Sequence, residues 1–316
     1  MEYKLIDRVD IDTKKWDNCI LNANNSVIYA MSWYLDCFSG SWAAYVWGDY
    51  EMVMPFVTKK KIGIKYVVNP LFCQYLGVLT NELNENLINQ CIEGFIRRQL
   101  ILNYSFANKL IIGKSVKERV NYRLNLNKPY EELYQDYSKN HRKNIRRTGD
   151  YNLKFRSSNE LERFFNLISS FYDSKNLGTV LGNSLESLKK LLLVSKQYKG
   201  GELYFVQDEY NDYILGLFLF KHKETYTVLT CNTQKGYKAK ASYFAIDETI
   251  KSKSDTTSIL DFGGSDIRSI ASFNEGFGAS VVPYYQYENK YLVKLLEILH
   301  KLKSKWNYLR HHFLNT

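Results

Sequence analysis

Lys139, Arg142, Lys143, Arg146 and Arg147 follow one another closely, with no acid between them. At ~100° per residue they fall within one arc of about 140° on a helix. A uniform positive face rich in arginine suits bidentate recognition of phosphate or carboxylate. The alternative is a charge run that is merely solvated. Arg142 and Arg146 lie one turn apart and are the expected anion clamp, with Lys139 beside them as a third acceptor-binding residue. Leu133, Tyr134, Tyr137, His141, Asn144 and Ile145 fall on the opposite side and would pack against the protein. Pro129 pre-sets φ for a first turn, Glu131 and Glu132 suit the positive end of the macrodipole, and Gly149 can take a left-handed C-cap. A single long helix over 129–149 is predicted.

Other chemistries lack their parts. Gly113-Lys114-Ser115 resembles the end of a phosphate-binding loop, but the earlier glycine that loop requires would fall at Asn108. Asp261-Phe262-Gly263 has no partner motif of a kinase. The five histidines are scattered except for His311 and His312, without an acid or cysteine at metal spacing, so no metal is expected. No G-x-S-x-G elbow is present.

The elements that must position the cationic face come from a chain of 316 residues, enough for two domains. Hydrophobic residues make up 45% and there are only 4 prolines, which predicts a folded protein without a long linker. With 43 basic and 33 acidic residues the net charge is +10, so an anionic partner is expected. The 26 tyrosines could line a polar cleft. Five cysteines without a short pairing motif predict reduced thiols and a cytoplasmic location. The N-terminus lacks an apolar run like a signal peptide, and no stretch approaches ~20 apolar residues, so no transmembrane segment is predicted.

Periodicity divides the chain into two halves of similar element order. The first reads as a strand, two short helices, a hairpin over 42–60, an extended run at 71–79, a helix over 86–100 and strands at 110–112 and 119–126. The second reads as a strand, two helices, three strands over 202–231, then helix, strand, short helix and strand to 287. The last segment, 290–313, is an amphipathic helix with a leucine stripe, to which Lys294, Lys301, Lys303, Lys305 and Arg310 add positive charge. It would dock on its own second domain or touch a membrane surface peripherally.

The motifs then carry a resemblance. Leu260-Asp261-Phe262-Gly263-Gly264-Ser265, followed by Phe273-Asn274-Glu275-Gly276-Phe277-Gly278-Ala279, resembles the strand–turn–helix and "FKxGFG" segment of the FemAB-like peptidyltransferases of the GNAT (Gcn5-related N-acyltransferase) superfamily. Ser138 to Arg147 looks like the basic helix of those proteins. Met54-Pro55-Phe56, with 69–77, is similar to their first-domain strand pair. The resemblance implies an α/β (α+β) fold of two tandem GNAT-like domains, each a mixed, mostly antiparallel sheet flanked by helices. The divisions would be 1–128, a linking helix over 129–149, a second domain over 150–289 and the tail helix 290–316. It also implies acyl transfer to an amine without a covalent enzyme intermediate, from acyl-CoA (acetyl-CoA) or an aminoacyl-tRNA.

In such proteins the donor enters where a strand opens after 225–231. Cys231, Asn232, Lys235, Gly236, Lys238 and Lys240 are therefore the expected donor-binding residues. This loop departs from the usual Q/R-x-x-G-x-G/A, which counts against CoA. Asp261, Tyr284 and Tyr285 are the acid–base candidates, although Asp261 could equally cap the next turn. Gln74 joins Lys139, Arg142 and Arg146 on the acceptor side. Acceptors would be phosphorylated or sugar-type amines of cell-wall or polysaccharide synthesis, with tRNA as a candidate partner. The alternative is a catalytically inactive module that grips anions or RNA.

Overall fold

The computed structural model describes residues 2–38, 42–61, 63–82, 84–109, 116–174, 184–296 and 298. Gly113-Lys114-Ser115, the strand expected at 110–112 and most of the C-terminal leucine stripe lie outside them. The strands are β1 (Tyr3–Asp7), β2 (Trp42–Trp47), β3 (Met52–Lys61), β4 (Ile64–Val68), β5 (Leu79–Thr80), β6 (Asn103–Phe106), β7 (Val116–Asn125), β8 (Lys154–Ser158), β9 (Glu202–Gln207), β10 (Tyr213–His222), β11 (Thr225–Asn232), β12 (Ile259–Gly264) and β13 (Ser280–Glu288). The helices are α1 (Thr13–Asn22), α2 (Ser32–Leu35), α3 (Glu85–Arg98), α4 (Tyr130–Asp136), α5 (Lys139–Thr148), α6 (Leu161–Ser174), α7 (Ser184–Tyr198), α8 (Gln234–Lys238), α9 (Ala241–Lys253) and α10 (Arg268–Glu275). The architecture is mixed α/β, with mostly antiparallel sheets flanked by helices, as expected for a GNAT-like fold.

The chain forms two compact units, but not the two halves that the element order suggests. One unit takes 1–30, 40–118 and 284–316; the other takes 31–39 and 119–283. In the first unit β1-β2-β3-β4 are antiparallel neighbours, β5 pairs with β3, and Tyr285 to Glu288 of β13 pair with β6. In the second the order is β7-β12-β11-β10-β9-β8. The expected boundary at 128/129 therefore falls after a strand that already belongs to the second sheet. Residues 290–296 are helical and cluster with the first unit rather than the second, burying Leu292 and Leu296.

The second core forms between this sheet and α9. Ala241, Ala245, Ile246 and Ile250 recur at helical spacing and meet Leu215, Leu217, Leu219 and Leu260 from the strands. Tyr130 of α4 donates its hydroxyl to Asp247 of α9 (3.0 and 3.1 Å), and burial pushes that carboxyl up.

The stretch 129–149 is not one helix. Tyr137 and Ser138 are extended (ψ 142° and 153°), because Tyr137 turns into the core while the Ser138 hydroxyl accepts from the His141 N–H as an N-cap. Pro129 is itself an N-cap residue, outside the first turn. Gly149 stays right-handed (φ −58°) and continues into a 3-10 turn; the left-handed residue is Asn152 (φ +45°).

His222, at the end of β10, is 9% exposed, and burial, aided by Lys223, holds its imidazole at about 4. The unfolded chain protonates near 6.5, so His222 contributes stability in full above that pH and loses it as pH falls toward 4. The expected loss is about 3 kcal/mol, because each tenfold difference in proton affinity between folded and unfolded chain is worth ~1.4 kcal/mol. Urea unfolding at pH 7.5 and pH 4.5 should show a smaller decline in His222→Gln than in the wild type. Equal declines would assign the acid sensitivity to other groups.

Candidate active site

β11 and β12 run parallel for only three residue pairs, ending at Thr227↔Asp261. Beyond that point β11 continues along β10 as far as Asn232, while β12 continues along β7. The facing edges of the two strands thus part, and Asp261 sits at the crotch.

Asp261 is 3% exposed, and alternation puts it on the face opposite Leu260 and Phe262, which join the core. Arg123 Nε donates to Oδ2 (2.7 Å), Asn121 Nδ2 to both oxygens (3.0 and 3.1 Å), and the Gly263 N–H to Oδ1 (2.9 Å). Four donated bonds fill the acceptor sites of a carboxylate. This geometry ties β12 to β7 and closes the turn at Gly263 (φ +73°), the capping role rather than that of a poised base. Asn121 and Arg123 escaped the sequence-based expectation. Their signal is the alternation Asn121-Tyr122-Arg123-Leu124 on β7, which puts both polar side chains on one face.

The other expected acid–base residues cluster with the first unit. Tyr284 packs on Tyr75 (centroids 5.4 Å), and the Tyr285 hydroxyl is pushed up by burial and by Glu118. Gln74 is half-buried in the same unit.

The expected donor loop is folded rather than open. Thr233 caps α8 by accepting the Gly236 N–H (3.0 Å) and donates its hydroxyl to the Ile214 carbonyl (2.9 Å). A Cβ at Gly236 would overlap both that carbonyl and Asn232 Oδ1, so only glycine lets α8 approach β10. Asn232 Nδ2 donates to Ser242 Oγ (2.9 Å) in the first turn of α9. Lys235, expected to meet phosphate, forms ion pairs with Asp208 and with Asp212 (2.7 Å). Its charge is already balanced. Cys231 is buried, with its thiol pushed up to about 12, so it offers no thiolate. Lys238 is exposed, and Lys240 (φ +60°) is the left-handed residue that starts α9. Between this loop and α6 lies a cavity of about 440 Å³ lined by Leu167, Ser170, Phe171, Asn232, Thr233 and Tyr237, among others.

The cationic helix keeps most of its face. Lys139, Lys143, Arg146 and Arg147 are exposed, and among the described residues no carboxylate pairs with them. Arg142 differs from expectation: it is half-buried, and its Nη1 donates to the Gln135 carbonyl (2.8 Å) at the end of α4. That bond exists because the helix breaks at Tyr137–Ser138. The inward face is polar, with His141, Asn144 and Thr148 buried. His141 Nε2 lies 2.8 Å from the Phe273 carbonyl and Nδ1 lies 2.9 Å from Ser138 Oγ. Burial lowers its pKa, so the neutral ring donates to the carbonyl and accepts from the hydroxyl. Among the described residues no group of His, Cys, Asp and Glu could hold a metal ion, and no helix is long and apolar enough to cross a membrane.

No protein-family model matches the sequence, and no curated protein matches it. Solved structures do match. FemX is 11% identical, over 94% of this chain and 99% of its own, with a TM-score of 0.65. A conserved protein of unknown function from Bacteroides thetaiotaomicron VPI-5482 is 11% identical, over 90% and 98%, with a TM-score of 0.56. The C-terminal domain (DUF2156) of a candidate lysylphosphatidylglycerol synthetase from Agrobacterium fabrum is 8% identical, over 91% and 94%, with a TM-score of 0.51. Together with the parted strands, these matches show that the chain shares the fold of FemX.

Proposed function

We propose that this protein transfers an aminoacyl group from an aminoacyl-tRNA to an amine at the parting of β11 and β12. The observation that carries the reading is the contrast between its two phosphate-binding surfaces. The loop that would cradle the pyrophosphate of CoA is closed by α8, and Lys235 is neutralised. α5, packed on α9, instead presents four exposed cations in successive turns, as a phosphate backbone requires.

In the reaction the amine lone pair forms a bond to the aminoacyl carbonyl carbon, and the carbonyl–ribose ester bond breaks. The amine loses a proton and the ribose oxygen gains one. Backbone N–H groups of the β11 edge, unpaired beyond Thr227, would hold the oxyanion. Asp261 acts as a positioning residue that fixes β12 and Arg123. Transfer is direct, the amine attacking the ester itself, and Cys231 is buried beneath the loop rather than presented to it. The acceptor is an amine on a phosphorylated or sugar-type molecule.

Lys143→Ala combined with Arg146→Ala and Arg147→Ala should weaken aminoacyl-tRNA binding more than tenfold near 100 mM salt and reduce the salt slope by about 2–3. The melting temperature should hold, because exposed charges contribute ~0–1 kcal/mol. Filter binding at several salt concentrations measures this, with acetyl-CoA titrated in parallel. Unchanged tRNA affinity in the variant, or saturable acetyl-CoA binding by the wild type, would overturn the donor assignment.

A further inference from the structure

The first unit contains a second place where a strand leaves its parallel neighbour just before a helix. Leu76 bridges Phe106 in parallel, with Leu76 N–H on the Ser105 carbonyl and Ala107 N–H on the Leu76 carbonyl (both 2.9 Å). Pairing then stops. In place of a neighbouring strand, Asn108 Oδ1 accepts the Val78 N–H (3.1 Å), and Asn25 Nδ2 donates to the Val78 carbonyl (2.7 Å). Two carboxamides plug the gap that stays open between β11 and β12. A ligand arm cannot enter between the strands here.

Outside the plug lies a cavity of about 430 Å³, between the end of α1, the strand end at Thr80 and the first turns of α3. It is lined by Asn24, Asn89, Asn108, Glu82, Glu85 and Ile88, among others, and Lys109 is the one basic residue among the described residues that line it. Asn89 Oδ1 is buried without a hydrogen-bond partner. A buried carbonyl in that state is costly until a donor reaches it, and Asn89 is among the residues that line the cavity. Two carboxylates against one ammonium make the wall acidic in a protein of net charge +10. That sign favours a positive ligand over a phosphorylated one.

We propose that this cavity binds a protonated amine that also carries hydroxyl groups, the class of an amino sugar. The ammonium lies against Glu82 and Glu85, and the hydroxyls bond to the carboxamides of Asn24 and Asn89. The site belongs to the first unit alone, so it stands independently of the reaction proposed for the second.

D-Glucosamine is the probe, with D-glucose and N-acetyl-D-glucosamine as neutral comparators, each titrated into the full chain and read by saturation-transfer NMR. Saturable glucosamine binding, at least fivefold tighter than either neutral sugar, is expected. Glu82→Gln with Glu85→Gln should remove that preference, Asn89→Leu should weaken binding at least fivefold, and Arg146→Ala should leave it unchanged. Melting temperatures check that each variant is folded. Absence of saturable glucosamine binding, equal affinity for the neutral sugars, or undiminished binding by the folded double-glutamine variant would each overturn the proposal.

Discussion

A fragment spanning 129–289, the second domain as periodicity divides the chain together with its leading helices, should show no cooperative thermal transition. It lacks β7, whose Asn121 and Arg123 compensate the buried Asp261. Removing the partners of a buried charge costs about 3–5 kcal/mol, a large part of the ~5–15 kcal/mol that holds a domain together. The fragment also loses Tyr122, Leu124 and Leu126, all buried, and exposes the length of β12 from Ile259 to Gly264 as an unpaired edge. Tyr34, from the 31–39 segment that clusters with this unit, no longer packs on Phe220 (centroids 6.5 Å). Calorimetry and near-ultraviolet circular dichroism measure the outcome. Extending the fragment back to 116 should restore a transition by returning β7. A sharp transition for 129–289 itself would mean that β7 is dispensable to this core.

That expectation marks where the sequence stops being legible. Helices announce themselves locally: α3, at Glu85–Arg98, lies within two residues of the 86–100 that its periodicity predicts, because i, i+3 and i+4 spacing is a property of the segment alone. A strand's partner is not local. β7 alternates as any strand does, and nothing within 116–125 says that its neighbour is β12, more than a hundred residues later. Hence the element types were readable and the unit boundaries were not. The break between α4 and α5 did have a local signal, since Ser138 is a good N-cap, but the uninterrupted charge pattern masked it.

The site divides the same way. The positive face of α5 follows from helical geometry, and four of its five cations remain exposed. The withdrawal of Arg142 follows only from the break, and the neutralisation of Lys235 from the turn holding Asp208 and Asp212. The opening between β11 and β12 has no signature in residue type, because it is a failure of backbone pairing.

Gly276→Ala should destabilise the protein by about 3 kcal/mol, at the upper end of what overpacking usually costs, and lower the melting temperature by roughly 5–10 °C. The backbone itself would tolerate alanine, since Gly276 is right-handed (φ −66°). What it cannot tolerate is a Cβ, which would overlap the His141 ring. That ring has no room to retreat. It is 3% exposed, held by Ser138 Oγ and the Phe273 carbonyl, and boxed edge-on by Tyr243 and Phe277 (centroids 4.9 and 4.6 Å). The Gly276 carbonyl also accepts the Ser138 N–H (2.9 Å), so the N-terminus of α5 is pinned at two points, to Phe273 in the last turn of α10 and to the glycine that follows it. Truncating the ring tests the cause. His141→Ala alone should cost a similar amount through the cavity it leaves, but adding Gly276→Ala should then cost little, because the new methyl group enters that cavity. Chemical denaturation of the two single variants and the double variant forms a cycle, and a coupling of about 2 kcal/mol or more is expected. His141→Ala should also reduce aminoacyl-tRNA binding at constant charge, since the cations would be carried by a loosened helix. Additive losses in the cycle would mean that the ring and the glycine do not meet, and that α5 is held elsewhere.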